Sequence, residues 1–165
     1  MRDYVLTVER VVPGAPDAVF DIVADVTNHT AIDGSGMLQG SHDRPGSRLA
    51  LGDTFGMNMK LFMRYSTENR VVEFDEGKRI AWQTGPSGRA GRFVAGRIWR
   101  YEFEPADGGT LVRESWDIRP DHQRFLLKLG RLWWNKTRRD MVRSLDRLAE
   151  LAARGSAASG ATDST

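Results

Sequence analysis

The sequence predicts an α+β fold in which a curved antiparallel sheet of about seven strands closes around a long C-terminal helix. Three patterns predict it: a helical repeat from Asp121 to about Leu151, alternating strand patterns between residues 54 and 118, and a strand followed by a broken helix at the N-terminus. For 165 residues we expect one domain, residues 1–152, and a flexible tail, residues 153–165. A domain of this size can bury about 70% of its unfolded surface without a disulfide or metal.

The composition narrows the range of functions. The chain has no cysteine, which excludes disulfides and thiolate chemistry and fits a reducing compartment. Its 24 basic residues are mixed with 22 acidic ones for a net charge of +2, so no nucleic-acid partner is expected. The first residues lack a signal-peptide core, and no apolar run approaches the roughly 20 residues of a membrane helix. We therefore expect a cytoplasmic protein with no stable membrane insertion, and the sequence specifies no oligomeric state.

The N-terminal segment predicts one strand and a broken helix. Alternation from Tyr4 to Val12 is typical of a strand, which Pro13 and Gly14 end. The helical pattern that follows breaks near Asp25, restarts around Thr27 and ends by residue 34.

His29 lies at this break, with Asp25 and Asp33 four residues to either side. In a continuous helix the three would share one face and indicate a metal or acid–base cluster. The break favours the alternative, in which the aspartates cap helices and the histidine lies at the surface.

The central segment predicts a loop and then a meander of strands. Glycine, proline and charged residues from 36 to 53 indicate a loop with at most one short strand, around residues 48–51. Further strands are expected from 64 to 74 and, after a turn at Glu76 and Gly77, from 79 to 84 with Ile80 and Trp82 on one face. Residues 85–96 are rich in glycine and form either a gate over the sheet or a plain connection.

Methionine dominates one face of the strand near residue 57. Five apolar residues of equal parity form that face: Phe55, Met57, Met59, Leu61 and Met63. Methionine adapts to ligands of varied shape, although it fills gaps in ordinary cores more often.

The last two strands, WRYEFEP and TLVRESWDI, predict a hairpin that turns between Ala106 and Gly109. The expected cross-strand pairs are Phe103 with Val112, Tyr101 with Glu114, and Trp99 with Trp116. Glu114 would then lie among aromatic rings, where an unpaired charge is too costly to persist. Either a bulge turns Glu114 outward, or its carboxyl reaches a polar group inside a cavity.

The C-terminal helix is predicted to begin at Asp121, its N-cap, and to end near Gly155. Its apolar seam comprises Leu126, Gly130, Trp133, Thr137, Met141, Ser144 and Leu148, flanked by Leu129, Leu145 and Leu151. Arg124, Lys128, Arg131, Arg139 and Arg143 form the opposite, basic face. The small seam residues at 130, 137 and 144 either leave a space in front of the helix or allow close packing on the sheet.

Several segments together resemble a known superfamily. The start VERVVPGAPDAVFDIVADVTNH, the segments IDGSG and RIAWQT, and the pair WRYEFEP and GGTLVRESWDI are similar to the START-related helix-grip (SRPBCC) superfamily, in its bacterial polyketide cyclase/dehydrase-like branch. The resemblance covers residues 1 to about 150. It implies a seven-stranded sheet that grips the helix and a cavity for a small hydrophobic ligand. In plant hormone receptors of this superfamily a VES segment lines the pocket with its glutamate, and Arg113, Glu114 and Ser115 look similar.

The resemblance leaves two functions open. As an enzyme, the protein would cyclise and dehydrate a polyketide chain, with Glu114 removing an α-proton and Tyr101 or His29 protonating the oxyanion, and with no metal or other cofactor. As a carrier or sensor, it would only bind an apolar ligand. The expected ligand-binding residues are Met57, Met59, Trp82, Trp99, Trp116, Trp133 and Thr137. A third possibility, docking of an unrelated protein on the basic helix, would leave the cavity filled by side chains.

Overall fold

The computed structural model of the protein describes residues 4–42, 48–60, 64–86 and 96–162. Seven strands form one sheet: β1 (Val5–Val12), β2 (Leu38–His42), β3 (Thr54–Lys60), β4 (Arg64–Asp75), β5 (Arg79–Pro86), β6 (Ile98–Ala106) and β7 (Gly109–Asp117). The helices are α1 (Pro16–Ala24), α2 (His29–Ile32), α3 (Arg124–Leu129) and α4 (Arg131–Thr162), and a 3-10 turn spans Val26–Asn28. In the described part of the chain, no helix combines the length and apolarity needed to cross a membrane.

All neighbouring strands pair antiparallel, in the order β1-β7-β6-β5-β4-β3-β2. The register shifts between Val71 and Glu73 in β4 and between Leu38 and Gly40 in β2, and such bulges bend a sheet. The sheet therefore curls around α4, which packs on α1, α2, β1 and β7. This arrangement confirms the predicted α+β helix-grip fold.

The core lies between α1, α4 and the inner face of the sheet. Its largest fully buried side chains include Trp116, Phe20, Phe55, Ile80, Met141 and Leu145. The ring of Phe20 makes edge contacts with Phe74 and Phe103, with both pairs of centroids 5.4 Å apart. These contacts hold α1 against the central strands.

The hairpin has the predicted register. Phe103 pairs with Val112, Tyr101 with Glu114 and Trp99 with Trp116, and the turn lies between Ala106 and Gly109. The broken helix near Asp25 is also present, because the Asp25 carboxylate accepts a hydrogen bond from the backbone N–H of Thr27 and caps the 3-10 turn.

The C-terminal helix differs from its prediction at both ends. Gly130 divides it into α3 and α4, because its backbone leaves the helical region (φ −76°, ψ 71°). Glycine interrupts a helix at little steric cost, and the periodic pattern had treated Gly130 only as a small seam residue. Asp121 accepts a hydrogen bond from the N–H of Gln123 in the turn before α3 and is not its N-cap. The helix also continues through Gly155, near which it was expected to end, to Thr162.

Two other predictions are wrong. The loop from 36 to 53 contains β2, while Arg48 forms only an isolated bridge with Asp25. Leu126 and Leu129, expected on the buried seam, are exposed because α3 turns away from the sheet at Gly130. Leu61, Met63 and most of the glycine-rich segment 85–96 lie outside the described residues.

Candidate ligand-binding site

The sheet and α4 do not meet completely, and a cavity of about 220 Å³ lies between them. Its wall is mostly apolar, and this volume is slightly below the usual range of about 300–1,000 Å³ for small-molecule pockets. The cavity brings together all ten residues that the sequence nominated: His29, Met57, Met59, Trp82, Trp99, Tyr101, Glu114, Trp116, Trp133 and Thr137. The helix thus leaves a space in front of it, which was one of the two alternatives for its small residues.

The three small seam residues have three different roles. Gly130 breaks the helix, and Thr137 lines the cavity. The hydroxyl of Ser144 accepts a hydrogen bond from the backbone N–H of Gly34 at 2.9 Å. The cavity therefore accounts for only some of the small side chains on the seam. Ser144 also allows the segment after α2 to approach α4.

Other residues of the wall were not predicted. They include Asn69 and Thr84 on β4 and β5, Ser35, Met37 and Leu38 after α2, and Lys136 and Asp140 on α4. Thr84 shares the parity of Trp82, and the register pairs it with Asn69. The alternation of β5 could therefore have identified Thr84. Asn69 could have been identified in the same way if an inner face had been assigned to β4 from the sequence.

Three aromatic rings form a stack along one wall. The Trp82 indole lies between the His29 imidazole, 5.0 Å away by ring centroids, and the Tyr101 ring, 5.5 Å away. Both interplanar angles are close to 25°, so the rings are nearly parallel. The stack holds His29 and Tyr101 on opposite sides of Trp82 and limits their rotation.

Glu114 is buried and belongs to the wall of the cavity. Its Oε1 accepts a hydrogen bond from the Tyr101 hydroxyl at 2.8 Å, while Oε2 has no partner. Burial raises the pKa of Glu114 to about 8, the Tyr101 hydrogen bond opposes that change, and the nearby charge of Asp33 adds to it. Burial and then the charge of Glu114 raise the pKa of Tyr101 well above its usual value. The cavity alternative for Glu114 is thus the one that occurs.

His29 is also buried, against the prediction of a surface position. The fold covers it because the turn after α1 tucks its ring between Trp82 and Phe55. Its Nε2 donates a hydrogen bond to the carbonyl oxygen of Val23 at 2.8 Å, which leaves Nδ1 as an unpaired acceptor. Burial lowers the pKa of His29, so the ring is neutral near pH 7.

The Asp25 side chain caps a helical turn, as the sequence favoured, whereas the Asp33 carboxylate binds the segment after α2. Asp33 accepts hydrogen bonds from the backbone N–H groups of Ser35 and Leu38, as Asp25 does from Thr27. Over the described ranges, no three acidic or histidine side chains are grouped so that they could hold a metal ion.

Four buried polar side-chain atoms lack a hydrogen-bond partner within the described residues, and all four belong to residues of the cavity wall. They are His29 Nδ1, Asn69 Nδ2, Glu114 Oε2 and Trp116 Nε1. Buried polar atoms normally find a partner, because leaving one unsatisfied costs about 1–3 kcal/mol. Two donors, one acceptor and one carboxyl oxygen thus remain unpaired in residues that line the cavity.

The rim of the cavity carries charge. Arg97 lies on the wall and forms a salt bridge with the buried Asp121, with Nε and Oδ2 2.9 Å apart. Lys136 pairs with Asp140 one turn further along α4. Trp133, on the same side of α4, is 38% exposed and reaches both the cavity and the surface.

Comparison with known proteins places this fold in a family. The family model described as polyketide cyclase / dehydrase and lipid transport matches residues 4–153. Among curated proteins, the uncharacterized protein Rv0088 of Mycobacterium tuberculosis is 33% identical over 113 residues, which are 67% of this chain and 45% of that protein. The chain thus aligns with less than half the length of this relative.

Solved structures share the fold at low identity. The KanY protein has a TM-score of 0.68 at 13% identity and covers 93% of this chain and 99% of its own. Protein NE0264 of Nitrosomonas europaea has a TM-score of 0.67 at 15% identity, with 93% and 96% covered. DynU16, from the dynemicin biosynthetic locus, has a TM-score of 0.56 at 16% identity and covers 93% of this chain and 48% of its own. Together with the match to the family model, these likenesses show that the chain belongs to the polyketide cyclase/dehydrase-like family of the SRPBCC superfamily.

Proposed function

We propose that the protein binds a small, largely apolar molecule of polyketide or lipid type in its cavity and promotes its aldol cyclisation and dehydration. The observation that carries this proposal is the set of four unpaired polar atoms in residues of a mostly apolar wall. A ligand with carbonyl oxygens would accept from Asn69 and Trp116, and an acidic C–H or a hydroxyl would face His29. A purely hydrocarbon ligand would leave all four atoms unsatisfied.

The protonation states of Glu114 and His29 near pH 7 favour a particular role for each residue. With a pKa of about 8, Glu114 is mostly protonated at pH 7. Because Oε1 accepts from Tyr101, the carboxyl proton lies on Oε2 and can be donated to a ligand oxygen. Neutral His29 presents the lone pair of Nδ1. We therefore propose Glu114 as the acid and His29 as the base, the reverse of the assignment made from sequence, with Tyr101 positioning Glu114.

The proposed reaction needs no further reactant. His29 Nδ1 takes a proton from a CH₂ group between two carbonyls, and the resulting enolate carbon attacks a second carbonyl carbon of the same chain. As the new C–C bond forms, the electron pair of that carbonyl moves to its oxygen, which takes the proton of Glu114. Glu114, now a carboxylate, takes a second α-proton, and the new hydroxyl leaves as water with the proton held by His29. This dehydration returns both residues to their starting states.

Blocking the cavity should prevent ligand binding. In Thr137→Phe the larger side chain would enter the free space in front of α4, so we expect a co-purifying molecule to be lost and its affinity to fall at least about tenfold. Native mass spectrometry of the purified protein, with and without the substitution, measures this.

The matched control is Ala153→Phe, which adds a phenyl group at an exposed position of the same helix. It should retain the co-purifying molecule. Equal occupancy in both variants, with both folded by circular dichroism, would mean that the ligand lies elsewhere.

Glu114→Gln should separate catalysis from carriage. Glutamine keeps an acceptor for Tyr101 and a donor toward the cavity but cannot transfer a proton, so cyclisation should fall about 100-fold while affinity is retained. The assay follows conversion of a linear 1,3,5,7-tetraketone, in which a CH₂ group between two carbonyls can close a six-membered ring, to the ultraviolet-absorbing acylresorcinol formed by aldol condensation.

The pH profile tests the assignment of roles. If Glu114 acts as the acid, wild-type turnover declines above its pKa of about 8. Turnover that instead rises through that pH would identify Glu114 as the base. If the wild type binds the ligand but does not cyclise it at any pH, the carrier function is favoured. The unpaired polar atoms also suit simple binding.

A further inference from the structure

Exposed apolar side chains are concentrated at the junction of α3 and α4. Of the nine strongly exposed large hydrophobic residues in the described ranges, five lie between Phe125 and Trp133. We name four of them the apolar ridge: Phe125, Leu126, Leu129 and Leu132. Leu129 is 79% exposed and Leu132 86%, so nothing within the described fold covers them. Clusters of this kind usually mark an interaction surface.

The same segment has charge of one sign. Between His122 and Arg139 the chain has no acidic residue and six basic ones: Arg124, Lys128, Arg131, Lys136, Arg138 and Arg139. Over the whole chain, by contrast, basic and acidic residues are nearly balanced. The guanidinium of Arg124 lies 4.9 Å from the centroid of the Phe125 ring, and the ammonium of Lys128 lies 4.1 Å from that of Tyr4. Basic and apolar groups are thus interleaved on one surface.

The buried side of α3 and α4 fixes the ridge to the domain. Leu127 packs against the core, and the Trp134 ring lies 5.4 Å from that of Trp116 by centroids. Tyr4 and Phe125 make an edge contact with centroids 6.3 Å apart. Because these contacts use the inner side of α3 and α4, the leucines of the ridge are held outward.

The ridge also borders the cavity. Trp133 follows Leu132 directly, is partly exposed and lines the cavity, as does Lys136 one turn later. Whatever covers the ridge therefore lies beside a route between the cavity and the surface.

We propose that α3 and the first turns of α4 dock in the interface of an anionic lipid membrane. Leucine, phenylalanine and tryptophan would enter the boundary between headgroups and acyl chains, while the surrounding arginines and lysines contact anionic headgroups. The uniform positive charge favours this partner over a second copy of the chain, in which two such surfaces would repel each other. Docking would place the cavity against the lipid phase, from which an apolar ligand could enter or into which it could leave.

Vesicle co-sedimentation of the full chain tests this proposal. We expect binding to vesicles of phosphatidylcholine mixed with phosphatidylglycerol, at least about tenfold weaker binding to phosphatidylcholine alone, and loss of binding as salt is raised. Substituting Leu129→Ser and Leu132→Ser together should weaken binding about tenfold or more. Val11→Ser and Leu51→Ser, two exposed apolar residues outside the segment, provide the matched control and should have no effect.

A second pair of variants tests the charge. Arg131→Glu and Arg139→Glu together should abolish the preference for phosphatidylglycerol, whereas Arg70→Glu and Arg154→Glu, exposed outside this segment, should not. Equal effects of the two pairs would overturn the proposal. A second result would also overturn it. If the wild type were a dimer in analytical ultracentrifugation, the Leu129→Ser, Leu132→Ser variant a monomer, and neither protein bound vesicles, a second copy of the chain would cover the ridge.

Discussion

Replacing Glu114 by glutamine is expected to remove a pH-dependent loss of stability of about 5 kcal/mol. Burial raises the pKa of Glu114 from 4.5 to about 8, so the folded protein retains a proton that the unfolded chain releases above pH 4.5. One pKa unit corresponds to about 1.4 kcal/mol. Since folding takes up this proton, the contribution of Glu114 to stability is full below pH 4.5 and declines as pH rises to about 8.

The measurement is the free energy of unfolding from urea titrations at a series of pH values across that window. Glutamine is nearly the same shape as the protonated acid and can still accept the hydrogen bond from Tyr101, so the variant should match the wild type at the acid end. At the alkaline end it should be the more stable protein. Parallel profiles for the two proteins would mean that Glu114 is ionised in the fold.

Tyr101 and His29 affect the same profile of stability against pH in different ways. Because the Tyr101 hydrogen bond lowers the pKa of Glu114, Tyr101→Phe should move the decline to higher pH. His29 acts in the opposite direction, since burial lowers its pKa below 6.5 and its contribution to stability is lost as pH falls through that value. Glu114→Gln should leave this acid-side loss unchanged, which separates the two titrations.

The sequence predicted the parts of the fold that depend on periodicity. Alternation in the last two strands defined both the register of the hairpin and the inward position of Glu114, because side chains of one parity share one face of a sheet. The same reasoning, with the period of the helix, nominated nine residues that line one cavity, whereas His29 was nominated only as a possible proton donor. Both predictions require only the local backbone geometry and knowledge of which face of each strand or helix is buried.

The parts that were missed depend on contacts between distant segments. β2 contains Gly40 with φ 151° and forms because β3 pairs with it, so its own sequence resembles a loop. His29 is buried because a turn places its ring against Trp82, more than 50 positions away. The exposure of Leu126 follows from the change of direction at Gly130, which a seam drawn through Gly130 cannot represent.

Gly34→Ala is expected to destabilise the protein by about 3 kcal/mol or more, because at this position the segment after α2 touches the backbone of α4. A Cβ on Gly34 would lie 2.1 Å from the carbonyl oxygen of Asp140 and 2.5 Å from the backbone nitrogen of Ser144. Neither atom belongs to a flexible side chain, so the two segments must separate. The hydrogen bond from the Gly34 N–H to the Ser144 hydroxyl would then be lost.

Separation would also disturb the cavity, because Asp33 and Ser35 on one side of the contact and Ser144 on the other belong to its wall. We therefore expect Gly34→Ala to lower both the free energy of unfolding in urea and the occupancy of the co-purifying molecule in native mass spectrometry. Gly36→Ala is the matched control. A Cβ there meets nothing within 4 Å, and its φ of +67° should cost only about 1–2 kcal/mol. If the two variants lost equal stability, backbone conformation rather than contact with α4 would explain the glycine at position 34.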